Sequence, residues 1–195
     1  MKRWLRLLVV LAVSLVLASA GWAGEDAEKK PARRPDVHFV PTPHEVVEVM
    51  LRLADVKKDD VVYDLGCGDG RIVVAAAKKA GCKAVGYDID PQRVKESLEN
   101  VKTNKVEDLV KIEEKDIFTL DLAQASVITL YLLPSLNVKL IPQLEKMKPG
   151  CRIVSHAFDM RGVTPDVEAT VRCKDGMERK VYLWTTPLKK EKTTE

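Results

Sequence analysis

Two carboxylates and three glycines are the residues of this chain whose types and spacing point most directly to chemistry. Asp64, Gly66, Gly68 and Gly70 stand at alternate positions, and Asp88 follows after one helix length. Glycine lets the backbone approach a ligand closely because it carries no Cβ atom. A carboxylate at a strand end about 20 residues beyond such a loop can bind both hydroxyls of a ribose. The pattern therefore predicts a nucleoside site.

The spacing of the glycines distinguishes between kinds of nucleotide. A dinucleotide-binding loop has the pattern Gly-x-Gly-x-x-Gly, whereas the third glycine here comes one position earlier. Asp64 at the mouth of the loop would repel a pyrophosphate, but it would attract a cationic amino group. The loop therefore favours a nucleoside that carries an amino group over a dinucleotide.

The elements that must position these residues form an alternating series of strands and helices. Apolar runs predict strands near residues 61–65, 84–87, 110–113, 127–131 and 152–156. Amphipathic spacing predicts helices over residues 43–54, 71–80, 91–104 and 134–147. Asp175-Gly176, between residues 166–173 and 179–185, predicts an antiparallel hairpin. We therefore expect an α/β protein with a mostly parallel sheet, helices on both faces and a C-terminal hairpin.

At the glycine loop and the acidic strand end, the chain resembles the class I S-adenosylmethionine (SAM)-dependent methyltransferases. The resemblance covers about residues 41–187. It implies a Rossmann-like fold with a seven-stranded sheet, and SAM as the cofactor. It also implies that Gly66 and Gly68 pass beneath the methionine part of SAM, that Asp64 helps to hold its amino group, and that Asp88 binds its ribose.

The same resemblance implies contacts to the rest of the cofactor. Asp116 would accept a hydrogen bond from the adenine amino group, and Ile117 would pack on the adenine ring. From the residues alone, Asp116 fits equally well as the N-cap of a short turn. The predicted cofactor-binding set is completed by Thr42, Gly70 and Ile89.

The segment that ends the fourth predicted strand lies where open α/β sheets bind ligands. It reads Tyr131-Leu132-Leu133-Pro134. Many methyltransferases that act on nitrogen carry Asn or Asp followed by Pro-Pro-aromatic there, so adenine and cytosine amino groups are disfavoured as acceptors. With residues 40–43 and 155–160, the segment resembles bacterial relatives of the mitochondrial protein-lysine methyltransferases that act on the c-subunit of ATP synthase. That resemblance implies a lysine amine as acceptor.

Three side chains are candidates for catalysis on such an amine. Tyr131 and Asp159 could orient the amine, and His156 could take its proton near neutral pH. Alternatively, Tyr131 only lines the cofactor pocket, and His156 is a core histidine. A small-molecule methyltransferase and a non-catalytic SAM-binding or scaffold protein are the competing functions.

The first 23 residues have the pattern of a signal peptide or an N-terminal anchor. Lys2, Arg3 and Arg6 precede an apolar stretch over residues 7–17, and small residues follow. Residues 24–38 are predicted to be a flexible linker, 39–188 the methyltransferase domain and 189–195 a polar tail. We expect an exported, periplasmic or membrane-tethered protein, whose domain faces the cytoplasm only if the first segment is retained in an unusual orientation.

The charge balance argues against a nucleic-acid partner. The chain has 32 Lys and Arg and 29 Asp and Glu, and three of the basic residues lie in the predicted leader. Without them the two signs balance, and a nucleic-acid-binding domain usually has a basic excess. The expected acceptor is therefore a protein or a small molecule; the sequence indicates no oligomeric state.

The four cysteines could form disulfides in an exported protein. Cys67 lies inside the predicted loop, and the other three lie at the ends of predicted strands: Cys82, Cys151 and Cys173. None of the spacings is that of a metal-binding knuckle. We expect buried thiols and no metal, with a Cys151–Cys173 bridge as the alternative.

Overall fold

The computed structural model describes residues 34–191. Its strands are β1 (Val61–Leu65), β2 (Lys83–Asp88), β3 (Val110–Glu114), β4 (Val127–Leu130), β5 (Arg152–His156), β6 (Val167–Arg172) and β7 (Glu178–Thr185). Its helices are α1 (His44–Leu53), α2 (Arg71–Ala80), α3 (Pro91–Thr103) and α4 (Pro134–Leu144), with a 3-10 turn at Ile117–Thr119. The predicted signal segment and most of the predicted linker lie outside the described residues.

The strands form a seven-stranded sheet in the order β3-β2-β1-β4-β5-β7-β6. The first five strands pair in parallel, whereas β7 runs antiparallel to both β5 and β6. This arrangement confirms the predicted parallel sheet with a C-terminal hairpin. The strand order changes direction between β1 and β4, and open α/β sheets bind ligands at such a point.

Side chains alternate between the two faces of the sheet and build a core on each. On one face, Val62 and Val154 pack with buried residues of α1, α2 and α3. On the other, Leu65 and Ile153 pack with Leu140 of α4 and with other buried residues of that face. Helices therefore cover both faces, as the alternation of elements predicts.

Two helices show how the local sequence sets their ends. Asp90 accepts a hydrogen bond from the N–H of Gln92 at 2.9 Å, and Pro91 occupies the first helical position of α3. Helix α4 ends at Leu144, three residues before the predicted end. After Leu144 the backbone forms 3-10-type hydrogen bonds between residues three apart. One of them joins the Met147 N–H to the Leu144 carbonyl at 3.1 Å.

All four cysteines are buried free thiols. The alternative of a Cys151–Cys173 bridge is therefore wrong for this structure. The thiol of Cys151 instead donates to the Ala125 carbonyl at 3.4 Å. Across residues 34–191, no helix has both the length and the apolar character needed to cross a membrane.

A partly buried ion pair joins the starts of two strands. The Arg152 guanidinium binds the Asp60 carboxylate and donates to the carbonyls of Ala54 at 2.8 Å and Asp55 at 3.1 Å. Burial alone would raise the pKa of Asp60. Hydrogen bonds from Ser126, from the Lys57 N–H and from Arg152 outweigh burial and lower the pKa below its usual value. The end of α1 is thus tied to β1, β4 and β5.

We predict that Arg152→Met lowers the free energy of unfolding by about 3 kcal/mol at pH 7, because it leaves the Asp60 charge without its partner. Urea denaturation followed by circular dichroism measures the change. Arg172→Met is the control, since Arg172 pairs with Glu178 on the exposed hairpin at 3.7 Å and should change stability little. Equal destabilisation by the two variants would contradict the prediction.

Candidate cofactor and acceptor site

A cleft lies at the carboxyl ends of β1, β2 and β4, where the strand order changes direction. Of the residues predicted from the sequence, the structure brings these to its walls: Thr42, Asp64, Gly66, Asp88, Ile89, Asp116, Ile117 and Tyr131. The cleft therefore gathers most of the predicted cofactor set with one predicted catalytic residue.

The glycine loop between β1 and α2 is shaped by left-handed backbone. Gly66, Gly68 and Gly70 have φ angles of 82°, 56° and 76°, which other residues rarely adopt. A Cβ atom at Gly66 would lie 3.0 Å from Leu132, and one at Gly68 would overlap the ring of Phe39. Only Gly66 of the three lines the cleft. Gly68 and Gly70 shape the loop, and their direct contact with the cofactor stays a prediction.

Asp88 holds the loop in place from the end of β2. Its carboxylate accepts hydrogen bonds from the N–H of Gly68 at 2.8 Å and of Asp90 at 3.0 Å, one at each oxygen. Burial raises its pKa, although these bonds partly oppose the rise. Each carboxylate oxygen can accept a second hydrogen bond. Asp88 can thus bind two adjacent hydroxyls while it fixes the loop.

Asp64 is the most deeply buried carboxyl group of the cleft, with 2% of the residue exposed. One oxygen accepts a hydrogen bond from the Thr129 hydroxyl at 2.6 Å, and the other has no partner in the structure. Burial raises its pKa to about 7. An unpaired buried oxygen is costly unless a donor reaches it. The amino group of SAM is such a donor, so this position fits the cofactor.

Asp116 and Ile117 both line the cleft beside the end of β3. The Asp116 carboxylate accepts a hydrogen bond from the N–H of Phe118 at 3.0 Å and thereby caps the 3-10 turn. Asp116 is therefore the N-cap of a short turn, as one of the two interpretations predicts. Because the same residue reaches the cleft, the cap also holds it where an adenine ring can be contacted.

Residues 35–38 of the predicted linker line the cleft, together with Phe39 and Val40 at the start of the predicted domain. Phe39 lies over Gly68, and the Arg93 guanidinium lies 4.8 Å from the centre of its ring. Arg71 donates to the Thr42 carbonyl at 2.9 Å and pairs with Asp69 at 2.6 Å. The segment before α1 is thus attached to the cofactor loop.

His156 does not line the cleft, and only 1% of the residue is exposed. Its Nδ1 lies 3.2 Å from the Thr42 hydroxyl, and its ring lies 3.9 Å from that of Tyr131, between ring centres. Burial and the nearby Arg179 lower its pKa to about 4. His156 thus occupies the position of a core histidine that supports Tyr131, the alternative interpretation, and its role as proton acceptor stays a prediction.

Asp159 is exposed and lies outside the lining of the cleft. Its backbone carbonyl accepts a hydrogen bond from Asn137 at 3.0 Å. The structure thus does not bring the Asp159 carboxylate together with Tyr131 at the cleft wall. Within residues 34–191, no group of three or more His, Cys, Asp or Glu residues is placed to hold a metal ion.

Comparisons with known proteins support a methyltransferase. Residues 64–167 match the ANTKMT methyltransferase domain, and residues 14–99 match a DNA methylase model. The chain is 46% identical over 153 residues to a protein-lysine N-methyltransferase of Saccharolobus islandicus, covering 77% of this chain and 94% of that protein.

Two further similarities name different acceptors. A lysine N-methyltransferase of the ATP synthase c-subunit, from Rattus norvegicus, is 34% identical over 133 residues, covering 66% of this chain and 59% of that protein. The chain thus spans about three fifths of this relative. A solved RNA methyltransferase from Salinibacter ruber, in complex with S-adenosyl-L-homocysteine, is 47% identical with a TM-score of 0.71, covering 80% of this chain and 98% of that one.

We predict that Asp88→Asn weakens the binding of S-adenosylhomocysteine about 30-fold, because the ribose hydroxyls lose a charged acceptor worth about 2 kcal/mol. The amide keeps one oxygen for the loop. Isothermal titration calorimetry measures the change, with unfolding temperature as a check on the fold. Asp121→Asn is the control, since Asp121 is exposed and lies outside the cleft lining. A loss below threefold would contradict the role of Asp88.

We predict that the affinity for S-adenosylhomocysteine falls as the pH drops from 7 to 5.5. The pKa of Asp64 in the free protein is about 7, so below pH 7 the ligand must displace a proton to gain a charged partner. The loss approaches tenfold per pH unit. Asp64→Asn should bind weakly and with a flatter pH profile, because the titrating carboxyl group is gone. Calorimetry across this range tests it, and a flat wild-type profile would contradict it.

Proposed function

We propose that this chain, which belongs to the ANTKMT methyltransferase domain family, transfers the methyl group of SAM to the side-chain amine of a protein lysine. The chain is a SAM-dependent methyltransferase. The observation that carries the choice of acceptor is its 46% identity to a protein-lysine N-methyltransferase, across 94% of that protein.

RNA is the second candidate acceptor, because the Salinibacter ruber relative is named an RNA methyltransferase. Two features favour lysine over RNA. Outside the predicted leader, basic and acidic residues balance, whereas RNA-binding surfaces have a basic excess. The segment from Tyr131 to Pro134 also lacks the Asn or Asp that holds a nucleobase amine in many nitrogen methyltransferases.

The chemistry requires a neutral amine and good alignment. SAM supplies an electrophilic methyl group on a sulfonium. The lysine nitrogen first loses a proton to water; its lone pair then forms the bond to the methyl carbon, while the carbon–sulfur bond breaks and its electron pair stays on sulfur. Alignment of two reactants can supply about 7–11 kcal/mol. A dedicated base is therefore not essential.

In this proposal, residues on one side of the cleft bind SAM, and residues on the other side orient the amine. We assign Asp64 to the amino group and Asp88 to the ribose of SAM; the burial of Asp64 and the hydrogen bonds of both carboxylates support this. Tyr131 reaches the cleft from the end of β4, so we assign its hydroxyl to orienting the amine. His156 supports the Tyr131 ring from beneath the surface. Asp159 has no role in this assignment.

We expect purified full-length protein, incubated with methyl-labelled SAM and a membrane extract, to place label on a protein lysine. Protease digestion and mass spectrometry identify the residue. Label released by ribonuclease would instead favour RNA, and label in the organic or small-molecule fraction would favour those acceptors. Saturable SAM binding without transfer would favour a scaffold. The Asp88→Asn variant, compared at one SAM concentration below saturation, should lose most of the label.

A further inference from the structure

A strained turn follows β5 beside the acceptor side of the cleft. Ala157 has a φ of 62°, and the N–H of Phe158 donates to the His156 carbonyl at 2.8 Å. A three-residue turn with a positive central φ is rare and strained. Such strain persists only where the surroundings hold it, and it is concentrated at functional sites. The position of Phe158 is therefore imposed by its surroundings.

Two fully buried polar side chains impose it. The Ser155 hydroxyl donates to the Phe158 carbonyl at 2.7 Å, and the Asn137 amide donates to the same carbonyl at 3.3 Å and to that of Asp159 at 3.0 Å. Both Ser155 and Asn137 are 0% exposed. Burying polar groups costs free energy unless they are hydrogen-bonded. Here their donors bind the carbonyls of Phe158 and Asp159, which fixes the loop at Phe158 from the interior.

The residue held in this way continues an aromatic surface out of the cleft. The ring of Phe158 is half-buried and lies within 18° of parallel to that of Tyr131, with 6.2 Å between centres. Tyr131 lines the cofactor cleft, whereas Phe158 does not. Phe158 is therefore next to the cofactor space but outside it. An acceptor must approach the cofactor from outside the cofactor space, and Phe158 is a residue beside such an approach.

We propose that Tyr131 and Phe158 form an aromatic wall against which the acceptor amine and its aliphatic stem pack, and that Asn137 is a positioning residue which holds this wall by fixing Phe158. Aromatic faces attract an ammonium group and offer apolar surface to a lysine stem. The inference rests on the proposed function, because it takes lysine as the acceptor.

Phe158→Leu removes the ring but keeps an apolar side chain. With the lysine-containing extract protein as acceptor, we expect its apparent KM to rise about tenfold, while the affinity for S-adenosylhomocysteine stays within threefold of wild type. Phe158→Tyr, which keeps the ring, should retain the wild-type KM within threefold. A KM within twofold of wild type for Phe158→Leu would overturn the wall, and an equal KM rise for Phe158→Tyr would overturn the role of the ring.

Asn137→Ala should raise the same apparent KM about as much as Phe158→Leu. Because Asn137 acts through Phe158, the double variant should be no worse than the more affected single variant. If the increase in KM of the double variant equals the product of the two single increases, Asn137 does not act through Phe158. If Asn137→Ala does not fold, the KM of Phe158→Leu still tests the aromatic wall.

The proposed function and this inference can fail separately. If the wild-type protein labels no lysine, the proposed function fails and this inference with it. A labelled lysine with an unchanged KM for Phe158→Leu overturns the inference alone.

Discussion

The buried carboxyl group of Asp64 is the constraint around which the site is organised. It stands on β1 between Gly86 of β2 and Thr129 of β4, at the point where the strand order changes direction. Thr129 satisfies one oxygen and leaves the other unpaired. An isolated charge there would be expensive, so the free protein at neutral pH holds the group poised between its charged and neutral forms. The sheet thus carries an incomplete interaction at its centre, and we assign the amino group of SAM to complete it.

Thr42 connects the two halves of the site. Its carbonyl accepts a bond from Arg71, which follows the glycine loop, and its hydroxyl meets His156 at the end of β5. His156 in turn supports the Tyr131 ring. Thr42, in the segment before α1, therefore contacts both the side of the cleft that we assign to the cofactor and the side that we assign to the acceptor. The alignment of two reactants depends on the relative position of those sides, and this chain of contacts is short and largely buried.

The sequence was sufficient where function depends on local pattern. The glycine loop, Asp64 and Asp88 are recognisable because a strand, a tight loop and a second strand end lie close together along the chain. The burial and low pKa of His156 could not be predicted, because they arise from tertiary packing and from Arg179 on β7, beyond the reach of any local pattern. Phe158 was missed because its ring becomes informative only beside Tyr131, from another strand. The cofactor side is thus encoded locally and the acceptor side by tertiary contacts.

The antiparallel strand β7 has a consequence for the order in which the molecule can be built. It pairs along the whole of β5, with Val181 opposite His156 and Trp184 opposite Ile153, and it follows the other six described strands along the chain. The strands that carry Asp64 and Asp88 are synthesised well before it, whereas the outer edge of β5 stays unpaired until β7 arrives. During synthesis, the pairing of β5, which carries His156 beneath the proposed aromatic wall, is therefore completed after the strands that carry Asp64 and Asp88.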